Sequence, residues 1–211
     1  MYKIVFNLLV CICWVLFRLL FRLRVTGLEN VPEGGAIIAP NHQSFWDIPL
    51  VGFVLHARRT HFMAKSELFQ NPVFAWIIRT VLAFPVKRGT PDRTAIRHAI
   101  DMLKQGDLVA IFPEGTRSKT GKLGPPEAGL SLIAAKAEVP VVPVGIVGTR
   151  LIFSSTCFLP RVELHFGVPL HYRTVDPVTG EKPADFGLQV MQSINQLLQQ
   201  RGKCQIEKVS T

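Results

Sequence analysis

Four short blocks of the chain combine residue types suited to chemistry. The first is Asn41-His42-Gln43-Ser44-Phe45-Trp46-Asp47, in which a histidine precedes a carboxylate by five residues. An imidazole held in one tautomer by a carboxylate can take a proton from an alcohol or from water. On one continuous helix those five residues would set His42 and Asp47 about 140° apart, at about 3.6 residues per turn. The two side chains therefore meet only if His42 precedes the helix and Asp47 lies in its first turns. The second block is Phe112-Pro113-Glu114-Gly115-Thr116-Arg117-Ser118. Backbone N–H groups around Gly115, the hydroxyls of Thr116 and Ser118 and the Arg117 fork suit a phosphate. Val86-Lys87-Arg88-Gly89 places two cations at a strand end. In Val139–Val144, Pro140 and Pro143 bracket a short apolar strand, and proline there predicts a sheet edge or an interruption.

Other chemistries find no support in the sequence. His56, His61, His98, His165 and His171 stand singly, without ligand-like grouping. Cys11, Cys13, Cys157 and Cys204 have neither CxxC nor finger spacing, so neither a zinc site nor a disulfide framework is expected. No Gly-Lys-Ser/Thr follows the glycine of the second block, no GxGxxG occurs, and no GxSxG elbow offers a serine nucleophile. Neither a metal nor a cofactor is expected.

These blocks need a scaffold. The chain has 211 residues, enough for one domain with an appendage. With 48% hydrophobic and 18% charged residues, it is no disordered polyelectrolyte. Short apolar runs at 36–39, 61–64, 83–86, 108–112, 141–147 and 162–166 read as strands. Helical patterns lie between and after them. Thr90-Pro91 followed by Ile96, Ala99, Ile100 and Leu103, with Gly106 beyond, gives a cap, a core stripe and a stop. Residues 128–137 are apolar nearly all round and predict a buried helix. Val190, Met191, Ile194, Leu197 and Leu198 form one apolar face of a last helix. The alternation predicts an α/β fold, with a mixed central sheet flanked by helices.

Charge and hydropathy add a second theme. The formal net charge is +9, and between Arg58 and Arg97 eight basic residues face only Glu67 and Asp92. Such a surface attracts anions, whether phosphate-bearing substrates, lipids or nucleic acid. No nucleic-acid recognition motif appears, and the cations are interleaved with membrane-like apolar stretches. Residues 4–17 are apolar except Asn7, and Arg18, Arg22 and Arg24 follow where a secretory signal would need small residues. The run falls short of the roughly 20 apolar residues of a spanning helix. It reads as an interfacial, membrane-anchoring helical segment over 1–24, with Arg18 and Arg22 on one face. A catalytic domain over 25–201 and a frayed tail over 202–211 follow. The stretch Pro72–Leu82, with Trp76 and Arg79 among aliphatics, is either core or a second lipid contact.

In order and spacing, Asn41-His42-x4-Asp47, the Val86–Gly89 block, Phe112–Ser118 and the Val139–Ile146 proline block resemble the four motifs of the glycerolipid acyltransferases. Among them the 1-acyl-glycerol-3-phosphate (lysophosphatidic acid) acyltransferases are most similar, over about residues 25–170. The resemblance implies a mixed α/β domain seated on a membrane by N-terminal helical segments, and the cysteine usage puts that domain on the cytoplasmic face, peripheral or monotopic. It implies acyl transfer from acyl-CoA or acyl carrier protein to the 2-hydroxyl of lysophosphatidic acid. Carried over, His42 is the general base and Asp47 its orienting partner. Glu114, Gly115, Thr116 and Arg117 belong to the acceptor site, and Arg88 is a second phosphate contact. The chain departs from the family in having Glu127-Ala128 ahead of Gly129, where relatives often carry a basic residue. Two rival readings use the same residues differently: a thioesterase or lysophospholipase with water as acceptor, and a non-enzymatic module that binds anionic lipid.

Overall fold

A computed structural model describes residues 8, 10–87, 89, 92–155, 159–173 and 185–206, with side chains up to residue 199. Its centre is one seven-stranded sheet: β1 (Arg24–Thr26), β2 (Ala36–Pro40), β3 (Thr60–Lys65), β4 (Ala83–Val86), β5 (Leu108–Ala110), β6 (Val141–Val147) and β7 (Glu163–Phe166). The order across the sheet is β1-β7-β6-β2-β5-β3-β4. Strands β2 to β6 run parallel, while β7 lies antiparallel to β6 and β1 parallel to β7. The sheet is therefore mixed.

Alternation along the strands divides the core in two. Ala36 and Ile38 of β2, with Leu108 and Ala110 of β5, point to one face. Ile37, Ala39, Val109 and Ile111 point to the other. Strands buried on both faces read as continuous apolar runs, which is what the sequence of β2 and β6 shows. On the first face lies α1 (Asp47–Val54), through Leu50, Val51 and Phe53. On the second lie α3 (Arg93–Lys104), α4 (Ala128–Ala137) and α5 (Phe186–Ile206). Helix α2 (Pro72–Thr80) connects β3 to β4 and reaches the first-face core through Ile78.

Three details differ from the sequence reading. The cap of α3 is Asp92, whose carboxylate accepts from the N–H groups of Ala95 and Lys87. Those two donors hold its pKa below the usual carboxylate value. Thr90 and Pro91 lie outside the described residues. Second, β6 is interior, between β7 and β2, despite Pro143. The missing N–H falls on the β7 side in a gap of the ladder. The β7 pairing begins at Val144, and beyond it only the bridge Val141 to Leu170 continues. Gly167 N–H donates to the Pro143 carbonyl, so no strand needs a donor from the proline. Third, Arg18 and Arg22 do not share a helix face. The N-terminal segment widens to a π-helix over Val15–Leu20, and Arg22 stands beyond it at a φ of 47°.

Phe17 and Phe21, four residues apart, lie on the same side, both with no exposed surface. Phe17 stacks on Phe53 and meets Trp46 edge-on, and Phe21 packs against Trp46 and Phe153. Full burial of such a side chain contributes about 1.5–3 kcal/mol. The opposite side of the segment leaves Ile12, Trp14, Val15, Leu19 and Leu20 exposed. Among the described residues no helix is long and apolar enough to cross a membrane.

Candidate active site

Strands β2 and β5 are neighbours, yet the chain leaves them in opposite directions. From β2 it passes to α1 on the first face, and from β5 to α4 on the second. Diverging connections open a crevice at the carboxyl ends of the two strands, the place where open α/β sheets hold their ligands. His42 and Phe112, the second residue beyond each strand, line it with rings stacked at 4.0 Å.

His42 precedes α1 and Asp47 is its first residue. Their side chains meet, with Nδ1 of His42 2.8 Å from Oδ2 of Asp47. The same Oδ2 accepts from the N–H groups of Gln43 and Ser44, at 2.7 and 2.8 Å. One carboxylate oxygen thus folds the loop around itself and orients the imidazole. Asp47 is wholly buried and His42 nearly so. With Nδ1 donating to Asp47, the lone pair of the neutral ring lies on Nε2. That nitrogen is the one able to take a proton.

Glu114 joins the two loops. Its Oε1 accepts from His42 N–H at 3.0 Å, and its Oε2 from Gly124 N–H at 3.1 Å. Ser118 N–H donates to the His42 carbonyl, so the histidine backbone is held from both sides. Gly115 sits at a φ of +64°, where a Cβ would stand 2.9 Å from the Glu127 side chain. Only glycine turns there without strain. Thr116 and Arg117 are exposed. The Arg117 guanidinium lies 3.6 Å over the Phe45 ring. Arg88 lies outside the described residues. The Glu127 side chain faces the Gly115 turn.

Several contacts escaped the sequence reading. Asn41 spans two strands, donating to the Ile146 carbonyl and accepting from its N–H. Arg150 holds the carbonyls of Lys119 and Thr120, and Gln43 donates to that of Gly121. All of these join residues 30 or more apart in the chain, so no local pattern announces them. Two further buried histidine–carboxylate pairs exist, His61 with Asp107 and His165 with Glu163. The first lies at the amino ends of β3 and β5, away from the crevice. The second pairs two residues of β7, so both are embedded in the sheet. Neither has diverging loops beside it. No trio of His, Cys, Asp or Glu side chains able to hold a metal occurs among the described residues.

The family model described as Acyltransferase matches residues 22–147. A 1-acyl-sn-glycerol-3-phosphate acyltransferase of Bacillus subtilis is 34% identical over 152 residues, covering 70% of this chain and 73% of the relative. The Streptococcus pneumoniae protein of that name is 34% identical over 155 residues, 73% of this chain and 56% of the relative. A chloroplastic one from Brassica napus is 37% identical over 133 residues, 61% and 38% of the two chains. The chain thus spans little more than half the pneumococcal relative and less of the plant one. The crystal structure of the 1-acyl-sn-glycerophosphate (LPA) acyltransferase PlsC from Thermotoga maritima superposes with a TM-score of 0.70. It is 32% identical, with 94% of this chain and 81% of that one covered.

Proposed function

The chain belongs to the acyltransferase family, and from that premise we propose that it acylates the 2-hydroxyl of lysophosphatidic acid to give phosphatidic acid. The donor is a fatty acyl thioester, on acyl-CoA or acyl carrier protein. The observation that carries this reading is the buried His42–Asp47 pair opening on a crevice beside Arg117. Nε2 of His42 takes the hydroxyl proton as the oxygen attacks the thioester carbonyl. The tetrahedral intermediate collapses with cleavage of the carbon–sulfur bond, and the imidazolium returns its proton to the departing thiolate. A thioester is already activated, so no covalent enzyme intermediate is needed. Glu114 and Gly115 serve this chemistry by fixing the loop under the base, while Arg117, with Arg88, meets the acceptor phosphate.

The acceptor assignment is tested at Arg117. A guanidinium grips a phosphate through two parallel hydrogen bonds, which a lysine ammonium cannot reproduce. Charge-assisted hydrogen bonds contribute roughly 1.5–3 kcal/mol each. Arg117→Lys should therefore lower kcat/KM for lysophosphatidate about tenfold or more. It should leave a lysolipid without phosphate, and the thioester KM, nearly unaffected. Equal losses on both acceptors would refute the phosphate assignment. Wild-type thioester hydrolysis undiminished by acceptor would favour the thioesterase reading.

The site of action on this reading is the cytoplasmic face of a membrane. What supports the membrane contact is that the N-terminal segment and α2 both pack on the first sheet face and turn apolar side chains outward. Val73, Phe74, Trp76 and Ile77 of α2 are all exposed, with exposed Arg79 beside them. Soluble monomers rarely leave such patches uncovered. Serine at Leu19, Trp76 and Ile77 should shift the protein to the supernatant when sedimented with anionic phospholipid vesicles, with thermal unfolding unaltered. Unchanged sedimentation would assign attachment elsewhere. Deleting residues 1–24 is a poorer test, because it also strips Phe17, Phe21 and Leu23 from the core.

A further inference from the structure

Phe45 has no packing reason to be aromatic. It stands in the catalytic loop between His42 and Asp47, with 66% of its surface exposed. Its one described ring contact is with the Arg117 guanidinium, centred 3.6 Å above it. Arg117 in turn makes no hydrogen bond or ion pair among the described residues. A long, solvated arginine would otherwise sample many rotamers. Here the ring is the described partner that favours the rotamer seen.

The geometry of that contact leaves the arginine ready for use. Stacking occupies one face of the planar guanidinium and leaves its in-plane N–H fork clear. The backbone under both partners is fixed. Asp47 binds the N–H groups of Gln43 and Ser44 ahead of Phe45, and Ser118, next to Arg117, donates to the His42 carbonyl. We propose that Phe45 is a positioning residue whose ring holds Arg117 at the mouth of the crevice and so sets the preference for a phosphorylated acceptor. This rests on the reading of Arg117 as the phosphate contact and adds a residue to it. The aromatic face is the essential property, because a leucine of similar bulk lacks the negative π surface that attracts a cation.

Steady-state kinetics of the full chain tests this with Phe45→Leu, Phe45→Tyr and Arg117→Ala, on lysophosphatidate and on the matching monoacylglycerol. Phe45→Leu should raise the lysophosphatidate KM about 2–5-fold, the scale of an exposed cation–π contact. The kcat, the thioester KM and the melting temperature should hold. Phe45→Tyr, which keeps the π face, should restore the wild-type KM. In the Arg117→Ala background, Phe45→Leu should add nothing, since the ring would have no cation to hold. An unchanged KM in Phe45→Leu, alongside a raised one in Arg117→Ala, overturns the positioning role and leaves the phosphate reading intact. A Phe45→Leu effect that is equal on both acceptors, or that persists without Arg117, shows the ring touching lipid itself and likewise overturns it. An Arg117→Ala enzyme with unchanged lysophosphatidate KM defeats the phosphate reading, and the role of Phe45 falls with it.

Discussion

Replacing His42 by alanine should lower kcat by about 10²–10⁴, the scale of general-base assistance. The argument rests on position. Nδ1 is committed to Asp47, and the ring is clamped against Phe112. Acyl transfer through Nε2 has no second base in the same loop, since Gln43 and Ser44 do not accept protons at neutral pH. Alanine also leaves a void beside Phe112, so His42→Asn is the companion variant: it retains a polar planar group yet cannot take the proton. Thiol release from an acyl thioester in the presence of lysophosphatidate gives the rate. Thermal unfolding shows whether either variant has lost the fold. A folded His42→Asn enzyme turning over near the wild-type rate would remove His42 from the mechanism.

The second large loss is expected from Asp47→Asn, again of about 10²–10⁴. Oδ2 of Asp47 receives three donors, from His42, Gln43 and Ser44. An amide oxygen can keep the two backbone donors, because it sits where the carboxylate oxygen sat. It is neutral, however, and no longer stabilises the imidazolium that forms as the hydroxyl loses its proton. If the amide nitrogen instead faces Nδ1, the proton is driven to Nε2 and the base is lost. Since the pair acts as a unit, the double variant His42→Ala with Asp47→Asn should be no slower than His42→Ala alone. Losses that multiply would mean that Asp47 acts by a route separate from His42.

What could be read from the sequence depended on range. Strands β2 to β7 and helices α3 to α5 follow from apolar runs and periodicity within a dozen residues. Strand β1 was missed, because Arg24-Val25-Thr26 has one apolar residue and exists by pairing with β7. Helix α1 carries Pro49 and Gly52, and its burial between the sheet and the N-terminal segment overrides their low propensity. The dyad was legible since both members lie in one seven-residue block. The clasp of Glu114 on the His42 backbone was not, because 72 residues separate them. Sequence likeness placed Glu114 with the acceptor, whereas the folded chain engages both its oxygens with backbone donors. The stacking of Arg117 on Phe45 was equally hidden, since an exposed phenylalanine carries no hydrophobic pattern.

Trp46 joins the N-terminal segment to the loop that carries His42 and Asp47. Its indole receives Phe17 and Phe21 from that segment, and its backbone runs directly into Asp47. One aromatic layer and one peptide bond therefore separate the N-terminal segment from the carboxylate that holds the His42 imidazole.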